Sequence, residues 1–346
     1  MDTMFAVQMA EFGSPDVLKP AQLPMPSCSN DEVLIRVAYC GVCRHDLLTR
    51  NGAFPKISLP VTLGHQVSGV VDSAGADTSF ARGDRVMTMI YTGCGECEQC
   101  ERGNDARCRT RRPTFLGEDV DGGYAEFVLL KARAVMAVPD EVALEDAAVL
   151  TCTLGTAYHA LSAQGRVTAG DTVVITGASG GVGLHAVQVA RSLGANVIGV
   201  VSSEQRAGLV ENAGAHSVIV APDRRFAKTA KSTIGVGADV VLDVVGGSSL
   251  AESIHAVREG GTVVVVGNVA GGMASIAPAH LILKEICVVG TKSCSSREMA
   301  TVLESVAGGI LRADVTEVVA LADVAEVHRR MESGAATGRV VLEVRK

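Results

Sequence analysis

The chain predicts an α/β protein that combines a doubly wound parallel sheet with an antiparallel, barrel-like β domain. Three observations predict it. Residues 1 to about 145 read as short strands, at 33–39, 66–72, 84–90 and 124–130, broken by turn signals such as Asn51-Gly52, Arg82-Gly83-Asp84 and Asp121-Gly122-Gly123. From 146 onward, strand-like runs at 172–176, 196–201, 217–220, 239–243, 262–266 and 286–290 alternate with helical stretches, the rhythm of a parallel sheet. These runs are rich in Val and Ile, as expected where both faces of a sheet are covered. Third, the run 172–176 leads into a glycine-rich loop and then a helix. Residues 291–346 return to shorter, mixed elements and are expected to fold back onto the first domain, so the expected division is 1–145, 146–290 and 291–346.

Length and composition bound the function. A chain of 346 residues has room for about two cores. With 47% hydrophobic and 20% charged residues it fits a globular protein, and a net charge of −7 argues against a nucleic-acid partner. No apolar run reaches the roughly 18 residues of a membrane span. The N-terminus carries no basic region ahead of an apolar stretch, so a cytoplasmic, reducing location is the expectation. In that setting ten cysteines read as metal ligands more readily than as disulfides.

The glycine-rich loop is Thr176-Gly177-Ala178-Ser179-Gly180-Gly181-Val182-Gly183. Glycines allow a tight turn and a close backbone approach, and the following helix offers free N–H groups to a pyrophosphate. Ala178 departs from the usual G-x-G-x-x-G pattern; the strand before and the helix after supply the context that gives the motif its meaning. The next strand ends without an acid for a ribose 2′-hydroxyl. Ser202, Ser203 and Arg206 follow it instead, which suits a 2′-phosphate. Glu204 is the nearest acid, but it sits in a first helical turn, where acids also serve the helix dipole. NADP(H) is therefore expected in preference to NAD(H).

Cys94, Cys97, Cys100 and Cys108 follow the spacing C-x2-C-x2-C-x7-C. Four thiolates can close a tetrahedral zinc site with no open position, which makes such a zinc structural. A disulfide pair or an iron–sulfur cluster is the alternative. A catalytic zinc needs three protein ligands and an open position. Cys43, His65 and Cys152 are candidates, but spacing alone does not select them from ten cysteines and eight histidines.

The ordered set Cys40-Gly41-Val42-Cys43, Gly64-His65, the four-cysteine lobe, Gly122-Gly123-Tyr124-Ala125-Glu126, Cys152 and the glycine loop resembles the zinc-containing medium-chain dehydrogenase/reductase superfamily, nearly end to end. The resemblance implies a GroES-like β-barrel catalytic domain and a Rossmann domain. It implies two zinc ions per chain, the catalytic one on Cys43, His65 and Cys152. Asp46 matches the acid that hydrogen-bonds the zinc histidine. Gly267-Asn268-Val269 and Gly290-Thr291 match loops beside the nicotinamide, and Arg44 matches a basic residue near the pyrophosphate. A homodimer or homotetramer acting on a small-molecule substrate is implied as well.

Two positions depart from the pattern. His45 stands where Ser or Thr commonly relays a proton, and an imidazole can carry the proton itself; packing on the cofactor ribose or on the barrel wall is the other reading. Gln66 stands where Glu is usual, which leaves the zinc surroundings less anionic. His185 lies on the cofactor helix face, His159 follows Cys152 on a helix, histidines 216, 255, 280 and 328 show no partner pattern, and Cys28, Cys40, Cys287 and Cys294 read as small apolar residues.

The expected activity is hydride transfer between NADP(H) and an alcohol with its aldehyde or ketone. The alternative is conjugate reduction of an enone or an acryloyl-coenzyme A-like substrate, for which the run Arg107, Arg109, Arg111 and Arg112 could hold phosphates. A nucleotide-binding protein without turnover is a third reading, disfavoured by the intact ligand set. Leu48, Phe54, Ile57, Phe115 and Met273 suggest an apolar-lined pocket.

Overall fold

The computed structural model describes residues 2–54, 56–268, 272–335 and 338–344. The chain divides into two compact units. The first holds Met1–Cys152, Ser295–Gly309 and Ala313–Lys346; the second holds Thr153–Cys294 and Ile310–Arg312. The first boundary thus falls at Cys152 rather than 145, and the stretch through Cys294 belongs with the second unit.

In the first unit a long strand, Glu32–Val42, lies at the centre of a seven-stranded sheet. Val33, Leu34, Ile35 and Val37 are all buried, so the strand is covered on both faces over 33–35. It pairs antiparallel with Val67–Ala74, with Phe127–Lys131 and with the C-terminal strand Arg339–Glu343. The last of these seats the end of the chain beside residues 39–42. One pair, Val315–Ala320 with Arg339–Glu343, is parallel, so the sheet is not purely antiparallel. A second sheet joins Lys19–Pro24, Thr3–Met9 and Val61–Thr62. The helix Leu144–Leu150 buries Ala148 and Val149 with Val341 of the sheet.

The second unit carries six parallel strands. Across the sheet they run Ser217–Val220, Asn196–Val201, Thr172–Thr176, Ala238–Asp243, Val257–Val265 and Cys287–Gly290. The strands at 172–176, 196–201 and 217–220 form over the residues expected. The run at 262–266 is the second half of a longer strand, preceded by an irregularity in pairing between Ala238 and Val240. Strand order reverses direction around Thr172–Thr176, so the carboxyl ends of this strand and of Ala238–Asp243 flank the crevice where such sheets take a ligand. Cys287 is exposed on the edge strand.

Candidate metal centres and nucleotide loop

Strand pairing brings Cys43 and His65 together. Cys43 follows the strand Glu32–Val42 and His65 precedes Val67–Ala74; Cys40 pairs with Val67, and the Gly41 N–H donates to the Gln66 carbonyl at 2.8 Å. Residues 22 apart in sequence thus place Cys43 Sγ 3.3 Å from His65 Nε2. Gly64 makes the turn possible: its φ is +98°, and a Cβ there would meet Cys40 Sγ and the Tyr124 ring at 2.7 Å. Cys152 comes from the segment Thr151–Gly155, where the helix widens to π winding, a feature frequent at functional sites. The Thr151 hydroxyl pins this segment by donating to the Thr88 carbonyl at 2.8 Å. The ligand atoms of Cys43, His65 and Cys152 all lie within 4.8 Å of one another.

Asp46 organises two of these groups. Cys43 caps the helix Arg44–Arg50, and its N–H donates to Asp46 Oδ2 at 2.8 Å in a reciprocal capping box. His65 Nδ1 donates to Asp46 Oδ1 at 2.9 Å, which leaves Nε2 facing the thiols. The three side chains shift one another's protonation strongly. A hydrogen bond from Cys152 and the nearby His65 hold the Cys43 thiol well below its usual range, and the same contact with Cys43, together with burial, pushes Cys152 well above it. Burial opposes protonation of His65, but the Asp46 and Cys43 charges outweigh it. A divalent metal ion allows both sulfurs to ionise at once. The Gln66 side chain lies fully buried beside this set, with Nε2 3.5 Å from His65 Nε2 and Oε1 without a hydrogen-bond partner.

The cysteine lobe is equally compact. Cys94 Sγ and Cys97 Sγ lie 3.8 and 3.6 Å from Cys100 Sγ. Tetrahedral Zn–S bonds of about 2.3 Å place sulfurs about 3.8 Å apart, whereas a disulfide brings them to about 2.05 Å. Backbone N–H groups of Cys94, Cys97 and Arg109 donate to the sulfurs of Cys108, Cys94 and Cys97. The Arg109 N–H, with its neighbours, lowers Cys97 to about 5, while burial raises Cys100 to about 12. Asp105 braces the lobe, accepting from Gly93 N–H at 2.8 Å and from the Arg133 guanidinium at 2.7 and 2.8 Å.

His45 sits next to Cys43 on the opening turn of its helix, half-buried, with its ring stacked between Phe54 and Phe115 at centroid distances of 4.9 and 4.7 Å. Its Nε2 donates to Glu118 Oε1 at 2.7 Å, and the Thr49 hydroxyl donates to the same oxygen at 2.7 Å. Burial works to raise the Glu118 carboxyl, but these two donors outweigh it and hold it below its ordinary value. Glu118 was not legible as a functional residue, because its partners lie 69 and 73 positions away. Of the expected pocket residues, Phe54 and Phe115 gather at His45, whereas Met273 is fully exposed. Arg44 is exposed on the same first turn.

In the second unit the glycine loop joins the strand Thr172–Thr176 to the helix Gly181–Ser192. Gly177 takes φ +58°, and a Cβ on Gly183 would lie 2.2 Å from the Gly177 carbonyl oxygen. The loop is therefore a cradle that only glycines leave open. Ala178 is buried where the pattern has glycine, and Ser179 and Val182 are half-buried. Asp243, also missed in sequence, locks the neighbouring strand end: it accepts from Thr176 Oγ1, Ser249 Oγ and the Gly246 N–H at 2.8, 2.6 and 2.9 Å. Ser202 and Arg206 are exposed and Ser203 half-buried just beyond the strand Asn196–Val201. Gly267 packs so tightly that a Cβ would lie 2.1 Å from the Val244 carbonyl oxygen. Asn268 is exposed, Gly290 ends its strand, and the Thr291 hydroxyl is buried without a hydrogen-bond partner. Val269 lies outside the described residues.

Comparison with known proteins agrees in both units. The family described as alcohol dehydrogenase GroES-like domain matches residues 29–140, and that described as zinc-binding dehydrogenase matches residues 181–308. The chain is 32% identical to an acryloyl-coenzyme A reductase of Sulfurisphaera tokodaii, over 94% of this chain and 96% of that protein. It is 33% identical to an NAD-dependent alcohol dehydrogenase of Sulfolobus acidocaldarius, over 99% of this chain and 100% of the other. Among solved structures, one described as AibC superposes with a TM-score of 0.94 at 40% identity, covering 99% of this chain and 96% of that one.

Proposed function

The chain belongs to the medium-chain dehydrogenase/reductase superfamily, and from that premise we propose that it is a zinc-dependent oxidoreductase moving a hydride between NADP(H) and an alcohol with its aldehyde or ketone. The donor set of buried Cys43 and His65 with half-buried Cys152 carries this reading. Two thiols and an imidazole with its far nitrogen on a carboxylate form the ligand set of a catalytic zinc. Zinc bound there supplies a Lewis acid for a carbonyl oxygen, and the nucleotide supplies or accepts the hydride.

The remaining chemistry belongs to the chain. His45 moves the proton that accompanies hydride transfer, and Glu118 fixes its ring orientation. Phe54 and Phe115 set the ring plane and keep water from its faces. Gln66 leaves the metal surroundings less anionic than a glutamate does. In the second unit the glycine loop and the helix N-terminus hold the pyrophosphate, and Arg44 offers a further basic group. Ser202, Ser203 and Arg206 receive the 2′-phosphate. The Gly267-Asn268-Val269 loop, Gly290 and the unpartnered Thr291 hydroxyl receive the nicotinamide. The second zinc, on Cys94, Cys97, Cys100 and Cys108, is structural. The enzyme works in the cytoplasm as a homodimer or homotetramer.

The conjugate-reductase reading is supported by the similarity to acryloyl-coenzyme A reductases. The arginine run gives it little support, because Arg109 pairs with Glu98, Arg111 donates to the Gly93 carbonyl and Arg112 pairs with Asp119. A substrate panel separates the two. NADPH oxidation with simple aldehydes or ketones, faster than NADH oxidation, is expected; turnover of acryloyl- or crotonyl-coenzyme A alone overturns the first reading. Since the chain has no Trp, its own fluorescence is weak and nucleotide fluorescence reports binding directly.

A further inference from the structure

The second unit holds a buried carboxyl that the chemistry above does not use. Asp243 ends the strand Ala238–Asp243 and is 0% exposed. Its Oδ1 accepts from Thr176 Oγ1 at 2.8 Å, from Ser249 Oγ at 2.6 Å and from the N–H groups of Val245 and Gly246 at 3.1 and 2.9 Å. Its Oδ2 accepts from Ser253 Oγ at 2.9 Å. Thr176 is the last strand residue before the glycine loop turns at Gly177, and its hydroxyl also accepts from the Val244 N–H at 3.0 Å. One hydroxyl and one carboxyl thus fix the turn 244–246 to the root of the glycine loop. A buried network in which each polar group is met in this way is rigid.

The same turn fills the space between the glycine loop and the loop at Gly267. On one side, a Cβ on Gly177 would meet the Val245 side chain at 3.0 Å. On the other, a Cβ on Gly246 would lie 2.0 Å from the Gly267 carbonyl oxygen, and a Cβ on Gly267 would lie 2.1 Å from the Val244 carbonyl oxygen. Gly246 also takes φ +69°, a second reason for glycine there. The Val266 N–H donates to the Asp243 carbonyl at 2.9 Å, which ties down the residue that leads into Gly267. Groups packed this closely transmit a shift from one side to the other. The separation of Gly177 from Gly267 is therefore set by a turn that touches both, and the shape of the turn is set by Asp243.

We propose that Asp243 and Thr176 are positioning residues that fix the spacing between the glycine loop and the Gly267 loop, so that the two halves of a dinucleotide meet a preformed cradle. The proposal rests on reading these loops as the nicotinamide-nucleotide site. Both side chains are buried, and both act through the turn 244–246. The effect is confined to a ligand that spans both loops. A ligand held by the glycine loop alone does not use the spacing.

Calorimetric titration of the intact protein with NADPH and with 2′-phospho-ADP-ribose, which lacks the nicotinamide, tests it. Thr176→Val keeps the shape of the side chain and removes the hydroxyl. It is expected to weaken NADPH binding about tenfold, because binding must then order the loops itself, and to leave 2′-phospho-ADP-ribose within about twofold of wild type. Asp243→Ala is expected to follow Thr176→Val. Thr176→Ser restores the hydroxyl and is expected to bind both ligands as the wild type does. Unchanged NADPH affinity in Thr176→Val overturns the proposal, and so does equal weakening of both ligands, which marks general loosening of the fold. A wild-type protein that binds 2′-phospho-ADP-ribose as tightly as NADPH overturns the reading of the Gly267 loop as the nicotinamide site, and the proposal with it.

Discussion

Glu118 accepts hydrogen bonds from both His45 and Thr49 on one oxygen, and this fixes which nitrogen of His45 carries a proton toward the protein. Substituting Glu118→Gln keeps the shape and removes the charge. If His45 moves the proton, kcat should fall about tenfold or more with KM little changed, because general acid–base groups contribute roughly 10²–10⁴-fold. His45→Ala should cost at least as much and should alter the pH profile of turnover. Steady-state kinetics decide the matter; wild-type kcat in both variants leaves His45 as a packing residue between Phe54 and Phe115. Gln66 is the second residue whose neutrality matters. Its buried, unpartnered Oε1 lies beside a site that gathers thiolates, and Gln66→Glu should slow zinc exchange by adding an anion there.

In the proposed function the glycine loop is the element that holds the cofactor. Gly183 stands where the helix Gly181–Ser192 meets the loop backbone, and a Cβ there would lie only 2.2 Å from the Gly177 carbonyl oxygen. Gly183→Ala must therefore shift the helix start or open the turn. Nucleotide affinity should drop at least tenfold, read by fluorescence titration, with a stability loss of about 1–3 kcal/mol from overpacking. Wild-type affinity would mean that the pyrophosphate does not sit on this turn. The neighbouring strand end has its own anchor in Asp243, whose carboxylate is fully buried and accepts from Thr176, Ser249 and Ser253. The buried carboxyl is accommodated there because its oxygens are met by donors from one neighbouring strand end, from the turn after its own strand and from the following helix.

For the molecule as a whole, His328 gives stability a pH dependence. Burial and Arg50 lower its pKa to about 4, against which Asp46 and Cys43 pull upward. The unfolded chain titrates near the ordinary value of about 6.5. Between these values the unfolded state binds the proton that the folded state refuses. Stability therefore rises with pH through this window, by up to about 1.4 kcal/mol per unit, and is lost as pH falls toward about 4. Urea midpoints of the wild type should fall between pH 7 and 4.5 more steeply than those of His328→Gln. Parallel declines would show that another group sets the acid limit. Among the described residues no helix is long and apolar enough to cross a membrane.

Local pattern carries the sheet of the second unit, the glycine loop and the spacing of the four cysteines, because each is written in consecutive residues. The strands at 172–176, 196–201 and 217–220 follow from apolar runs bounded by turns, and the loop follows from glycines at fixed offsets. The ligand set Cys43, His65 and Cys152 was legible only through resemblance, since no local period links a strand end, a strand start and a widened helix. Glu118, Asp243, Asp105 and the contacts of Arg50 and Tyr124 with His328 were not legible at all. Their partners lie tens to hundreds of positions away, up to 278 between Arg50 and His328. Which buried donor meets which acceptor is decided by the packing of sheet and returning helix, because hydrogen bonds act over about 3 Å of space and not along the chain. The sequence by itself determined the elements and the ligand types; the tertiary structure alone decided which polar groups orient them.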